Sequence, residues 1–378
     1  MKFLQIHCLD FSPAPSKSMA SKQIVHMNHG QGEASYARNS GFQKALQNKM
    51  KPLIEAAIAD LCSSNNTLFP EKLLVADLGC STGPNALALV SFAVEAIDNH
   101  CAQLKQPPPE VCLLLNDLPE NDFNSVVKSL VTLCQSNEPG IVTVGIVPGS
   151  FYKRLFTSGS LHLFCSSNSQ NWLSKAPEDL TRSRIPAYDV DEHARHERVL
   201  MVLDAYAHQF KKDFSIFLEL RAKELVPGGR MVVSLTGTRS NKTASKCYHL
   251  WETFAQILVA MVSEGVIDKA KYDSFYVPIY GPSNEELREI IQEEGSFSIN
   301  EMHVQDFKRG VDKAHTTAKS QINMMRSAFE PIVVQHFGEV MDEFVRTAEK
   351  RWSLERSLQE EVAYPVLQLA VSLTKKAG

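Results

Sequence analysis

At 378 residues the chain is long enough for one large domain with an elaboration, or for two domains. With 44% hydrophobic and 22% charged residues it reads as an ordinary globular protein with a sizeable core. A net charge of -4 with no basic block argues against a nucleic-acid partner, and no apolar stretch is long enough to span a membrane.

The first ten residues make a poor signal peptide, because Gln5 and His7 interrupt their short apolar stretch. Residues 11–22, FSPAPSKSMASK, have the composition of a disordered segment, so residues 1–23 are expected to be an unstructured extension. Met19 within it is an alternative start, and a plastid transit peptide is disfavoured on composition. Residues 42–62 carry helical spacing of apolar positions. Leu73 to Ala76, ending in Asp77, reads as a buried parallel strand, followed by a turn at Gly79 and Gly83 and a helix from Asn85 to Leu104. Val111 to Leu115 is a second strand closed by Asn116 and Asp117, and a helix from Asp122 to Cys134 follows. Ile141 to Val147 and Leu161 to Cys165 are further strands. The polar stretch from Trp172 to His196 reads as an insertion, and a long helix runs from Val199 to Glu224. Arg230 to Leu235 is a fifth strand, residues 248–264 and 284–294 are helical, and Phe297 to Val304 alternates as a sixth strand. Two helices are expected over residues 315–350, and Pro365 to Leu373 is a last apolar strand.

Alternating apolar strands and helices predict an α/β fold with a doubly wound, Rossmann-like sheet. The long segments at about 170–215 and 240–350 exceed ordinary connectors and are expected to form a helical cap over a single domain spanning 24–378. That cap would cover the carboxyl ends of the strands, where doubly wound sheets bind ligands. The eight cysteines are scattered without a CxxC pair, as expected of reduced thiols in a cytoplasmic protein.

Three strand-end motifs carry chemistry. Asp77-Leu-Gly-Cys-Ser-Thr-Gly-Pro-Asn85 places glycines where backbone must pass close to a ligand. Pro84 removes a helix-start amide and the pattern is not GxGxxG, so a ligand without phosphates fits better than a dinucleotide. A plain tight turn accounts for this motif alone equally well. Asp117, at the end of the second strand, can accept hydrogen bonds from both ribose hydroxyls, with Leu118 against an adenine. Its alternative role is a helix cap, which Asn121 or Asp122 could also fill. The third motif, Val147-Pro-Gly-Ser-Phe-Tyr152, puts Ser150 and Phe151 at the same edge.

These segments, together with Met27-Asn-His-Gly-Gln-Gly-Glu-Ala-Ser-Tyr-Ala-Arg-Asn-Ser40, LNDLPENDFN, VPGSFYKRLF and ELVPGGRMVVSL, resemble the plant SABATH methyltransferases over nearly the whole chain from Ile24. That family includes salicylate, benzoate, jasmonate and indole-acetate carboxyl methyltransferases and xanthine N-methyltransferases. The resemblance implies S-adenosylmethionine as cofactor, held by Tyr36, Asp77, Cys80, Asn85, Asp117, Leu118, Ser150 and Phe151. It places Ser40, Gln43, Asn168, Asn171 and Trp172 around a small carboxylic acid, with benzoate or salicylate first, jasmonate, anthranilate or indole acetate next, and N-methylation of a xanthine as a further alternative. It also implies a homodimer. Trp172 and Gln43 would donate to the carboxylate from two sides.

The chain departs from the family in places. Asn168 and Asn171 stand where many members have tyrosine or serine, and histidine or methionine, so a more polar pocket is expected. Asn28 stands where some salicylate-type members have lysine, and the Asn-Lys-Gly segment after Trp172 is missing. Some members bind magnesium near that segment and a D-x-F-N motif; here Asp273-Ser-Phe275-Tyr276 lacks the asparagine, leaving Asp273 and Phe275 as a weak magnesium site. His193 and His196 lack further ligands at metal spacing. Carboxylic acids are ionised near neutral pH, since model carboxyls titrate near about 4, so no catalytic acid or base is expected. A catalytically idle binding protein with the same fold is the contrasting reading; intact cofactor motifs argue against it.

Overall fold

The two-residue period of the first strand sets the layers. In β1 (Lys72–Leu78), Leu73 and Val75 join one hydrophobic core while Ala76 and Leu78 join the other. The computed structural model describes residues 25–63, 71–135, 141–239, 251–307, 317–355 and 366–377. The predicted extension 1–23, with its alternative start, lies outside them.

Before β1 come α1 (Tyr36–Asn39), α2 (Gly41–Asn48) and α3 (Lys51–Ser63). After it run α4 (Ala88–Leu104), β2 (Glu110–Asp117), α5 (Phe123–Gln135), β3 (Ile141–Pro148), β4 (Leu161–Ser167), α6 (Glu178–Ser183) and α7 (Glu192–Glu224). The chain continues through β5 (Leu225–Gly237), α8 (Glu252–Ser263), α9 (Lys269–Asp273), α10 (Asn284–Glu294), β6 (Phe297–Phe307), α11 (Ala318–Phe337), α12 (Met341–Glu355) and β7 (Val366–Lys375). The seven strands form one sheet in the order β3-β2-β1-β4-β5-β7-β6. The first five are parallel, and β7 runs antiparallel to both β5 and β6. The chain reverses its winding direction between β1 and β4, the crevice where such sheets bind ligands.

Helices α3, α4 and α5 cover one face, with Leu53, Val90 and Val126 buried against Val75, Leu113 and Cys165. The opposite face packs on α7, α8, α10, α11 and α12 around Phe214, Phe254, Ile291, Ile332 and Phe344. Helix α7 stacks Phe210 on Phe214 and Phe214 on Phe217, with ring centroids 5.4 and 5.7 Å apart.

Two elements differ from the sequence expectation for identifiable reasons. The single helix expected over 42–62 is two, broken at Lys49 and Met50. Pro52, in the first turn of α3, has no N–H to donate to the preceding turn. The amides of Lys49 and Met50 close tight three-residue bonds to Leu46 and Gln47 instead. The long helix begins at Glu192, not Val199, because the Asp191 side chain caps it by accepting from the Ala194 amide at 2.8 Å. His193 and His196 therefore lie on its exposed first turns, where His193 faces Glu197 at 3.3 Å.

A buried ion pair near the end of α7 fixes the loop after β3. Arg221 and Glu224 are both fully buried and 2.7 Å apart. Arg221 also donates to the carbonyls of Phe151 and Lys153 at 2.8 and 3.0 Å. Glu224 accepts the amides of Leu155 and Phe156 at 2.7 and 3.1 Å. Arg154 also pairs with Glu224 at 3.3 Å, but removing the Glu224 charge leaves Arg221 buried without compensation, at a cost of about 3–5 kcal/mol. Glu224→Gln is therefore expected to lower the unfolding free energy by about 3 kcal/mol in urea titrations. A Glu224→Gln variant as stable as the parent chain would refute the clamp.

Candidate functional site

The parallel register brings the ends of β1, β2, β3 and β4 to one edge: Asp77 lies opposite Leu115 and Cys165, and Asp117 opposite Pro148. A cavity of about 290 Å³ opens there. Its floor is the turn after β1. Gly79 and Gly83 have φ of 76° and 82°, a left-handed conformation that glycine adopts without strain. A Cβ on Gly79 would sit 2.3 Å from Ser169 Oγ, and one on Gly83 2.7 Å from the backbone of Ala37. Both glycines thus permit close approach of neighbouring segments around the cavity.

Asp117 is anchored on both oxygens. Oδ2 accepts the Ser81 amide at 2.6 Å and Oδ1 the Leu118 amide at 2.7 Å. Burial nonetheless pushes its carboxyl up to about 6, against the pull of those two amides. Asp77 is 1% exposed, and neither of its oxygens has a hydrogen-bond partner among the described residues. Burial, and then the charge of Asp117, hold its carboxyl well above the usual range. The Cys80 thiol is raised by burial and by both carboxylates, so it stays protonated. Tyr36 is raised by burial and by Asp117, which keeps its hydroxyl a donor.

The opening segment 25–40 forms one wall. Asn85 donates to the Ser40 carbonyl and hydroxyl at 2.8 and 2.9 Å, which binds this segment to the turn after β1. On the other side, the Asn28 amide donates to the Ser327 carbonyl at 2.9 Å. Pro331, four residues further along α11, has no N–H to offer that carbonyl. Asn28 also contacts Glu330 and the Arg326 carbonyl through its side chain. Helix α11 is thereby set over the cavity, where Met324, Met325, Ala328 and Phe329 line it.

The segment after β4 is held from several directions. Asn171 donates to the carbonyls of Thr236 and Tyr280 at 2.8 Å each and accepts the Thr236 amide at 3.0 Å. Tyr152 donates its hydroxyl to the Trp172 carbonyl at 2.8 Å. Ser174 binds the buried Asp213 of α7 through amide and hydroxyl, at 2.8 and 2.7 Å. Trp172 packs its ring 6.0 Å from Phe329, which stacks on Phe254 at 4.5 Å.

A family described as SAM dependent carboxyl methyltransferase matches residues 22–376. Salicylate carboxymethyltransferase of Clarkia breweri is 37% identical over 369 residues, covering 95% of this chain and all of that protein. Jasmonate O-methyltransferase of Arabidopsis thaliana is 38% identical over 361 residues, covering 86% of this chain and 92% of that one. Among solved structures, loganic acid methyltransferase with SAH superposes with a TM-score of 0.79 at 28% identity, over 93% of this chain and 99% of that one. The chain belongs to the SAM-dependent carboxyl methyltransferases.

In this methyltransferase, eleven of the residues singled out in the sequence line the one cavity: Tyr36, Gln43, Cys80, Asn85, Asp117, Leu118, Ser150, Phe151, Asn168, Asn171 and Trp172. Asp77 and Ser40 do not line it; both are buried behind it. Asn171 differs in kind from the expectation of a polar pocket wall, because both amide hydrogens and its oxygen are engaged by backbone. Asn168, in left-handed backbone at φ 58°, bonds Ser167 and Thr236. Asp273 and Phe275 lie away from the cavity lining. Asp273 pairs with Lys269 at 2.6 Å, Phe275 packs on Phe337, and Tyr276 donates to the Ile185 carbonyl. That donor set does not suit magnesium, and no group of three or more His, Cys, Asp or Glu side chains comes together among the described residues. Among the described residues nothing supports the magnesium reading.

Sequence reasoning missed Gln47, Asn121, Thr236, Phe329 and the bracing role of Asp213. The proline inside the α11 helical pattern was the available signal for a segment docking on that helix.

Asp117, Asp77 and Asp213 all carry carboxyls raised by burial. A carboxyl raised in the folded state binds its proton more tightly there than in the unfolded chain. Stability of the ligand-free protein should therefore fall as pH rises from about 4 through about 6. Thermal melts across that range should show Asp117→Asn with a shallower decline; an unchanged slope would contradict the assignment.

Proposed function

We propose that this chain transfers the methyl group of S-adenosylmethionine to the carboxylate of a small, largely apolar acid and releases the methyl ester. The observation that carries the reading is the pair of uncommitted polar side chains facing one cavity. The Trp172 indole N–H and the Gln43 amide make no hydrogen bond to the protein among the described residues. Two residues able to donate, lining a cavity walled by Phe42, Leu46, Met325 and Phe329, suit a carboxylate on an apolar body. An aromatic acid such as benzoate or salicylate fits such walls. A jasmonate-type acid is the second reading, supported by a further amide in the same wall.

The strand ends suit the cofactor. Asp77, an acidic group buried behind the lining with neither oxygen partnered, complements the ammonium of a methionine group once it gives up its proton, and Cys80 and Asn85 line the cavity. Asp117 keeps lone pairs free for ribose hydroxyls, with Tyr36 as a neighbouring donor. Leu118, Ser150 and Phe151 flank the adenine position. When bound, S-adenosylmethionine supplies a sulfonium-activated methyl group. The chain itself orients the carboxylate through Trp172 and Gln43 and excludes water with the opening segment and α11. Alignment of reacting atoms about 3–3.5 Å apart is what this proximity chemistry needs, and an ionised carboxylate needs no base.

Methyl transfer from labelled S-adenosylmethionine to benzoate, salicylate, anthranilate, jasmonate, indole acetate and xanthine tests the reading. Labelling of at least one carboxylic acid is expected; labelling of xanthine alone, or of nothing while S-adenosylhomocysteine binds, would overturn it. Trp172→Phe should lower kcat/KM for the acid by about tenfold or more, the scale of one lost hydrogen bond to a charged group. Its affinity for S-adenosylhomocysteine should change by less than about twofold, as measured by calorimetry. Equal losses of both would assign Trp172 to packing.

A further inference from the structure

Helix α2 presents a second glutamine to the cavity. Gln47 lies one helical turn after Gln43 and is 8% exposed, yet it lines the cavity and its Oε1 has no hydrogen-bond partner among the described residues. The helix that carries it is fixed: Leu46 is buried in the wall, and its carbonyl accepts from Gln368 of β7 at 2.9 Å. Met50, in the turn that ends this helix, is fully buried in the core. A buried amide without a partner destabilises a fold that an apolar side chain would serve better. Such a group is accounted for when it meets a ligand.

We infer that Gln47 is a specificity-determining residue, and that the acid carries a second oxygen function, a keto or hydroxyl group, remote from its carboxylate. The inference rests on the methyl-transfer reading, in which Gln43 and Trp172 take the carboxylate. Side chains four residues apart on a helix have Cβ atoms about 5–6 Å apart. The second oxygen therefore lies across the body of the molecule from the carboxylate, not on the neighbouring carbon. A primary amide serves either function, donating to a ketone through Nε2 or accepting from a hydroxyl through Oε1. Between the two polar ends the acid meets Phe42, Leu46, Met325 and Phe329, so its middle is apolar. Substrates of this class include cyclopentanone-bearing acids and ring-hydroxylated aromatic acids with the hydroxyl beyond the ortho position.

Matched acids test this. Rates are compared for 3-oxocyclopentaneacetate against cyclopentaneacetate, and for 3-hydroxybenzoate against benzoate. The Kd of each acid is measured in parallel by calorimetry on the S-adenosylhomocysteine complex. At least one oxygenated acid should be preferred by about tenfold or more, because a site built to hydrogen-bond an oxygen rejects the analogue that lacks it. The pair that shows the preference tells ketone from hydroxyl. Gln47→Leu and Gln47→Met should bring that ratio to within about twofold of unity. A parent-chain ratio near unity in both pairs, an undiminished ratio in folded variants, or no binding of either oxygenated acid overturns the inference. Binding that depends on Gln47 without methylation of any acid would instead sustain the subsite and remove the transfer reading.

Discussion

Parallel pairing of β3, β2, β1 and β4 in aligned register is the constraint on which the rest of the site depends. It ends four buried strands at one edge, so residues far apart in sequence meet there. Asp117, the Ser150–Phe151 turn and the segment from Ser167 to Trp172 share a cavity, with Asp77 buried behind it, because their strands stop at matching heights. The close approach that follows demands glycine at 79 and 83, since a side chain at either would collide with Ser169 or Ala37. Desolvation at this edge raises Asp117 and Asp77 together.

The second layer of the design is closure by segments with no strand of their own. The opening segment binds inward through Ser40 and Asn85 and outward through Asn28 to the carbonyl that Pro331 leaves unpaired on α11. A helix defect thus becomes a docking point. It sets Met325 and Phe329 over the cavity and brings Phe329 against Trp172. Cover over the cavity and placement of the tryptophan come from the same contact.

The third feature is the division of polar groups into those that brace and those that face the cavity. Arg221, Glu224, Asp213 and Asn171 are buried and engaged with backbone, so they hold loops. Gln43, Gln47 and the Trp172 indole have no such partners among the described residues. Two asparagines three residues apart, Asn168 and Asn171, look alike in sequence. Only the backbone of Thr236 and Tyr280, brought in from β5 and the strand-like turn at Ile279, reveals Asn171 as a brace.

Short continuous runs of apolar residues, together with Gly79, Gly83 and the acidic strand ends, were sufficient in the sequence for the α/β sheet, the order of its strands and the edge that carries the three strand-end motifs. Local chemistry decides those features. Strand alternation, left-handed turns and caps depend on near neighbours. Sequence alone could not separate the helix expected over 42–62 into two or start the long helix at Glu192, because a proline's effect and a cap compete with helical periodicity at close range. Nor could it relate Gln47 to the site, Asn171 to the backbone, or Asp273 to Lys269 rather than a metal. Those are matters of which donors and acceptors remain unpaired once distant segments pack, and only the tertiary structure completes that account.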